Sequence, residues 1–151
     1  MANRNKYTLK SFRDNKIEHP DYIELIKDIE VVDLVTFYYY LLYPKNLYEG
    51  EVHDYYELFV CLNGKAKAKS GNKEVLLSER DFIITPPNVE HTHNPNNSYL
   101  SSVSICFSAK GLNDELICNR VGTLDDEKVN VLNIFNNVIH DILSVYNMSL
   151  R

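Results

Sequence analysis

From Tyr55 to Phe107 the chain is divided into short runs of β-type residues by closely set turn signals. The clearest run has Lys65, Lys67 and Lys69 alternating with Ala66 and Ala68. A period of two puts the lysines toward water and the small residues inward, as only a strand does. Ser70-Gly71-Asn72 then turns the chain, and Lys73 to Leu77 returns it as a hairpin. Tyr55–Leu62 is halted by Asn63-Gly64, and Asp81–Thr85 is closed by Pro86-Pro87. A polar turn, 94–98, leads into Tyr99–Phe107, where Val103, Ile105 and Phe107 share one face and Ser102, Ser104 and Cys106 the other. Upstream, Val31 to Tyr43 is rich in β-branched and aromatic residues and ends at Pro44, which predicts a strand with an interruption near Asp33.

Both flanks have a different character. Residues 1–20 are polar and read as a flexible arm; its basic residues Arg4, Lys6, Lys10, Arg13 and Lys16 make it a candidate mobile element. Tyr22, Leu25, Ile26 and Ile29 fit one short helical face, with a strand as the alternative. After the strands, Lys110 to Asn119 predicts a short helix, and Thr123 with Asp126 resembles a capping box. A long helix follows from Asp125 to about Asn147 with two apolar seams. One seam is Val131, Phe135, Val138, Ile142 and Val145. The other is Leu132, Ile139, Leu143 and Tyr146, interrupted by Asn136. The seams lie about 100° apart, a wider arc than docking on one core requires. The second seam is therefore expected to meet a partner, and a lone Asn in such a seam fixes register. Many short strands followed by helices predict a mainly β fold, a small barrel or sandwich with a helical appendage. The expected boundaries are an arm over 1–20, a barrel over 21–110 and a helical dimerisation segment over 111–151.

Bulk properties narrow the function. At 151 residues, with 44% hydrophobic and 25% charged residues, the chain suits one globular domain. Its formal charge of -5 is the wrong sign for a surface that neutralises DNA phosphates. No apolar run approaches the roughly 18 residues of a membrane span, and the amino terminus lacks the apolar core of a secretory signal, so a cytoplasmic location is expected. Cys61, Cys106 and Cys118 are odd in number and have no close-set pair, which predicts buried, inert thiols. There are 11 Tyr and no Trp. Seven of the tyrosines fall between Tyr38 and Tyr56, suited to edge strands or to a polar-ligand pocket.

The densest polar cluster is Glu51-Val52-His53-Asp54-Tyr55-Tyr56-Glu57, with Gly64 beyond it. On a strand, Glu51, His53, Tyr55 and Glu57 share a face, continued by Phe59 and Cys61, with His91 contributed by a neighbouring strand. His93 and His140 read as surface residues, and His19 as part of the arm. The ligand-contacting set expected on these grounds is His53, Tyr55, Glu57, Phe59 and His91, with Tyr38 or Tyr40 from the first strand. Which tyrosine points inward depends on register, since a slip of one residue exchanges the faces. Glu51, His53, Glu57 and His91 offer a carboxylate–imidazole set that suits a divalent metal in principle. Hydrogen bonding to a ligand or to one another is the preferred reading, so neither a metal nor another cofactor is expected. No nucleophilic triad, phosphate-cradling loop or redox cysteine pair occurs, so no enzymatic role is expected.

His53-x3-Glu57-x6-Gly64, followed by Asp81, Pro86 and His91, resembles the paired motifs of the cupin barrel. More narrowly, "HDYYELFVCLNG", "ERDFIITPPNVEH" and "SICFSAKGL" resemble the sensor domains of AraC-type bacterial transcription regulators, over roughly residues 32–148. Such domains pair a cupin-like (jelly-roll) barrel that binds a small effector, commonly a sugar or another small organic molecule, with C-terminal helices that dimerise. A separate helix-turn-helix domain binds DNA. The resemblance implies an effector site in the barrel and a homodimer through Leu132, Asn136, Ile139, Leu143 and Tyr146. DNA would be contacted only by a domain outside this sequence, and no membrane is involved. Three positions depart from the cupin pattern: Glu51 stands where a metal-binding motif has its first His, and Arg80 and Asn88 stand where it has Gly. The alternatives are a stand-alone metal-dependent cupin enzyme, such as an isomerase or dioxygenase, and a carbohydrate-binding cupin.

Overall fold

The structure is a computed structural model that describes residues 30–112 and 114–149. The arm, the 22–29 segment and His19 lie outside the described residues. The order is β1 (Glu30–Leu42), β2 (Tyr56–Asn63), β3 (Ala66–Ser70), β4 (Lys73–Leu77), β5 (Asp81–Thr85), β6 (His91–Pro95), β7 (Leu100–Lys110), α1 (Asp114–Ile117), β8 (Gly122–Thr123) and α2 (Asp126–Ser149). Two antiparallel sheets form, in the orders β1-β7-β2-β5-β8 and β4-β3-β6. They face each other across one core: Phe59, Cys61, Ile83 and Leu100 from the larger sheet meet Ala66, Ala68 and Leu77 from the smaller. The fold is mainly β, a cupin-like barrel with C-terminal helices, as expected.

Local chemistry accounts for most of these elements. In β3 the alanines are buried and the lysines exposed, as the alternation requires. The interruption expected near Asp33 takes the form of register shifts between Val31 and Asp33 and between Leu34 and Thr36. β1 bends there without breaking. Gly64 sits at φ 88, and a Cβ on it would lie 2.0 Å from the Tyr99 carbonyl oxygen. Only glycine lets the end of β2 pass that backbone. Arg80 and Asn88, where the cupin pattern has Gly, both adopt left-handed backbone, at φ 73 and 61. The turn geometry is therefore kept and the side chains bear the strain.

Two strands add detail to the sequence reading, and one expectation is corrected. β6 is the neighbouring strand expected to bring His91, but its extent was not delimited, because His91-Thr92-His93-Asn94 offers no apolar contrast to read. Of the two β7 faces, the small polar one turns toward Glu57: Ser102, Ser104 and Cys106 are buried, as is Val103 on the other face, while Ile105 and Phe107 are half-buried. Finally, Thr123 does not cap the long helix. It belongs to β8 and donates from Oγ1 to Asp81, 2.8 Å away, whereas Asp125 accepts the Lys128 N–H at 2.9 Å and is the N-cap. All three cysteines are buried and free, and burial pushes their thiols up to about 11, 11 and 12 for Cys61, Cys106 and Cys118. No described helix is long and apolar enough to cross a membrane. Along α2, Val131, Ile134 and Val138 are exposed, while Leu132 and Asn136 are half-buried. The side chains of Phe135, Ile139, His140, Leu143 and Tyr146 lie outside the described residues.

Candidate functional site

The two sheets are joined across the interior by one carboxylate. Glu57, on β2, is 3% exposed, and four polar side chains are turned toward it. Its Oε1 accepts the Ser104 hydroxyl of β7 at 2.7 Å and lies 3.4 Å from His93 Nδ1. Its Oε2 lies 2.9 Å from His91 Nε2 and 3.2 Å from His53 Nε2. His91 and His93, two apart on β6, point to the same side and deliver both rings from the smaller sheet. His53 precedes β2 in a loop pinned by the Asn88 N–H, which donates to the His53 carbonyl at 2.7 Å. Glu51 reaches the cluster through an antiparallel bridge to His91, and Gly50 permits that approach. A Cβ on Gly50 would lie 2.8 Å from the His91 carbonyl oxygen.

The ring nitrogens have defined roles. His53 Nδ1 lies 2.9 Å from the Tyr55 carbonyl and His91 Nδ1 lies 2.8 Å from the Val89 carbonyl. A carbonyl only accepts, so both Nδ1 atoms carry the proton. Both Nε2 atoms then face a carboxylate that also only accepts. Each needs a second proton, or a shared cation, to make that contact favourable. Burial alone would raise the Glu57 carboxyl, but the His91 hydrogen bond, the His93 ring and the Ser104 hydroxyl outweigh it and hold the group at about 2. For His91, burial opposes protonation, yet the bond to Glu57 dominates and its pKa is raised. His93 behaves oppositely: burial takes it down to about 4 despite the nearby carboxylate, so it is neutral at pH 7. Its Nδ1 is the ring nitrogen on the Glu57 side. Its Nε2 is buried and has no hydrogen-bond partner among the described residues.

Beside this cluster lies an open cavity of about 200 Å³, lined by Tyr38, Tyr40, Leu42, Tyr48, Glu51, Glu57, Phe59, His93 and Ser104. Residues 38, 40 and 42 alternate along β1 and share its inner face. The Tyr38 and Tyr40 rings stack at 5.6 Å and 29°. Phe59 stacks on His93 at 4.0 Å and 7°, which fixes that ring at the cavity wall. Burial pushes the Tyr40 hydroxyl up to about 12, with Glu57 adding to it. Burial and the neighbouring Glu51 carboxylate do the same for Tyr48.

Of the residues singled out from the sequence, Tyr38, Tyr40, Glu57 and Phe59 line the cavity. His53 and His91 sit behind Glu57 and shape its charge, while Tyr55 lies flat on His53 at 3.9 Å. His93, read as a surface residue, is only 8% exposed and is a cavity residue; this corrects that expectation. Leu42, Tyr48 and Ser104 had not been foreseen. The His91-x-His93 spacing on one strand was the available signal for His93, the tyrosine cluster was the signal for Tyr48, and nothing comparable marks Leu42 or Ser104.

A cupin-like fold implies a divalent metal. One atom each from Glu51, His53, Glu57 and His91 lies within 4.8 Å of all the others. The Nδ1–H to carbonyl bonds of both histidines match the way metal-bound imidazoles are usually anchored. The residues fit such an ion, and equally fit a cluster held by protons.

A family model described as "Cupin domain" matches residues 41–106. Among solved structures, the plu4264 protein of Photorhabdus luminescens is 24% identical, with a TM-score of 0.44, over 48% of this chain and 61% of that one. A cupin 2 conserved barrel domain protein from Rhodopseudomonas palustris is 14% identical, with a TM-score of 0.44, over 60% of this chain and 58% of that one. An oxalate decarboxylase of B. subtilis is 15% identical, with a TM-score of 0.42, over 64% of this chain and 27% of that one. This chain thus spans well under two thirds of the length of each of these three. No curated protein matches it.

Proposed function

We propose that this chain is the effector-sensing and dimerisation domain of an AraC-type transcription regulator. The observation that carries the reading is the cavity. It is open to solvent, walled by Tyr38, Tyr40, Tyr48 and Phe59, and floored by Glu57, Ser104 and His93. An apolar wall with a few convergent polar groups is how small-molecule sites are built. The motif resemblance over residues 32–148 supports the regulatory assignment. So does α2, where Val131, Ile134 and Val138, rather than the half-buried Leu132 and Asn136 of the seam expected to pair, are exposed and suit pairing with a second copy. DNA contact is assigned to a separate domain, in keeping with the charge of -5. A cytoplasmic setting follows from that role.

The experiment is a thermal-shift screen of sugars and small metabolites, followed by recovery of any stabilising compound. A ligand that raises Tm, loses its effect in Tyr40→Ala and is recovered chemically unchanged supports the sensor. A ligand consumed on incubation contradicts it.

A second reading is favoured by one observation, the two imidazoles anchored through Nδ1 with Nε2 atoms converging on carboxylates. In that reading Glu51, His53, Glu57 and His91 hold a divalent cation, which would supply Lewis-acid chemistry to a substrate in the cavity. One equivalent of Mn, Fe or Zn retained through dialysis would favour this enzyme over the sensor.

A further inference from the structure

The long helix is fastened to the barrel at its base. None of the α2 side chains among the described residues is buried, and Val129, Leu132 and Asn136 are the half-buried ones. The chain leading into α2, by contrast, is fixed to β5 at successive points. The Asn119 N–H donates to the Ile84 carbonyl at 2.8 Å. Gly122 and Thr123 pair with Phe82 and Asp81, and a Cβ on Gly122 would lie 2.4 Å from the Phe82 ring. Thr123 Oγ1 donates to Asp81 Oδ1 at 2.8 Å, and Asp81 Oδ2 accepts the Ser78 N–H at 2.9 Å. The Leu124 N–H donates to the Arg80 carbonyl at 2.9 Å. Finally, Arg80 Nη1 lies 2.5 Å from Asp126 Oδ1, in the first turn of α2.

Arg80 carries a cost at this place. Its backbone is left-handed, at φ 73, a conformation that penalises a residue with a Cβ and spares Gly. The ion pair it forms is exposed on both sides, 43% and 85%, and such pairs add little stability. The strain is therefore not recovered as stability of the barrel. What the side chain adds is a fixed direction for the first turn of the helix. We propose that Arg80, Asp81 and Thr123 form a latch that sets the direction in which α2 leaves the barrel. Opening the latch frees the helix while the barrel stays folded. None of the three lines the cavity, so the latch is independent of what the cavity holds. It is nonetheless one strand from the site, because β5 pairs with Thr123 through Asp81 at one end and with Glu57 through Thr85 at the other.

The test is the distance between spin labels on the barrel and on the helix, read by pulsed electron paramagnetic resonance. Lys69→Cys and Asn133→Cys, both at exposed positions, carry the labels; Cys61, Cys106 and Cys118 are buried and are spared. Labelled chain is diluted into excess unlabelled chain so that only distances within one chain are read. The latched chain should give a narrow distribution. Arg80→Gly with Thr123→Val should broaden it. Asp126→Asn with Thr123→Val should broaden it as well, and this pair leaves the Arg80 backbone untouched. In both, the near-ultraviolet dichroism of the tyrosines should be retained. Lys128→Gln removes an ion pair with Asp125 in the same turn that does not touch the barrel, and it should leave the distribution narrow. A distribution that is already broad in the latched chain, or that stays narrow in either double variant, overturns the proposal. So does equal broadening in Lys128→Gln, or loss of the tyrosine dichroism in the Asp126→Asn pair.

Discussion

At the scale of single residues, Glu57 is the piece on which the site depends. Its carboxylate is buried with Ser104, His53, His91 and His93 turned toward it, so removing it leaves polar and charged groups in the interior without a partner. Glu57→Ala should therefore cost about 3–5 kcal/mol of unfolding free energy, measured by urea titration at pH 7. The same cluster sets the pH dependence. His93 titrates near 4 in the folded chain against 6.5 in the unfolded one. The unfolded state alone takes up that proton as pH falls through this window, so stability should drop between pH 6.5 and 4. Glu57, at about 2 folded against 4.5 unfolded, adds a further loss below pH 4.5. His91 has the opposite sign, since its raised pKa stabilises the fold below 6.5 and that contribution fades as pH rises. His93→Phe should flatten the limb between pH 6.5 and 4 in urea midpoints while leaving the limb below 4.5. An unchanged upper limb would place the titrating group elsewhere.

At the scale of elements, the turns hold the site. Asn88 keeps a left-handed backbone at φ 61 while its N–H anchors the His53 carbonyl. Asn88→Ala should cost about 1 kcal/mol in thermal or urea unfolding, and Asn88→Gly should be neutral or slightly stabilising, since the backbone bond survives in both. A large loss in Asn88→Gly would mean the side chain itself matters. The same scale shows why sequence reading succeeded for some strands and failed for others. β3 and β4 were legible because the interior they face is apolar, so Ala66, Ala68 and Leu77 contrast with the lysines. The extent of β6 and the inner face of β7 were less legible, because they surround a carboxylate. The interior there needs imidazoles and hydroxyls, and the usual in–out contrast is lost. His93 read as surface for that reason. The tyrosines of β1 were recognised as candidates, but choosing their face required a register fixed by pairing with β7, far along the chain.

At the scale of the molecule, the proposed function divides the work between the barrel and α2. The barrel closes around Glu57 and leaves one cavity wall on β1, an edge strand with few constraints on its outer side. A ligand that orders β1 against β6 and β7 would thereby act on the framework from which the helices emerge. It shifts the equilibrium only by its differential affinity for the two arrangements. The exposed apolar positions of α2 give a prediction at this scale. The chain should sediment as a dimer at tens of micromolar, and Ile134→Glu should convert it to monomer without unfolding the barrel. A monomer in the unsubstituted chain would remove the dimerisation role.

The protonation pattern around Glu57 is the claim from which the charge of the site follows. A long-range proton–nitrogen correlation spectrum of the histidine rings at pH 6 reads it directly. The expected spectrum has His91 protonated on both nitrogens and His93 neutral, with its proton on Nδ1 and Nε2 bare. A His91 ring with an unprotonated Nε2, or a His93 ring carrying its proton on Nε2, would contradict it.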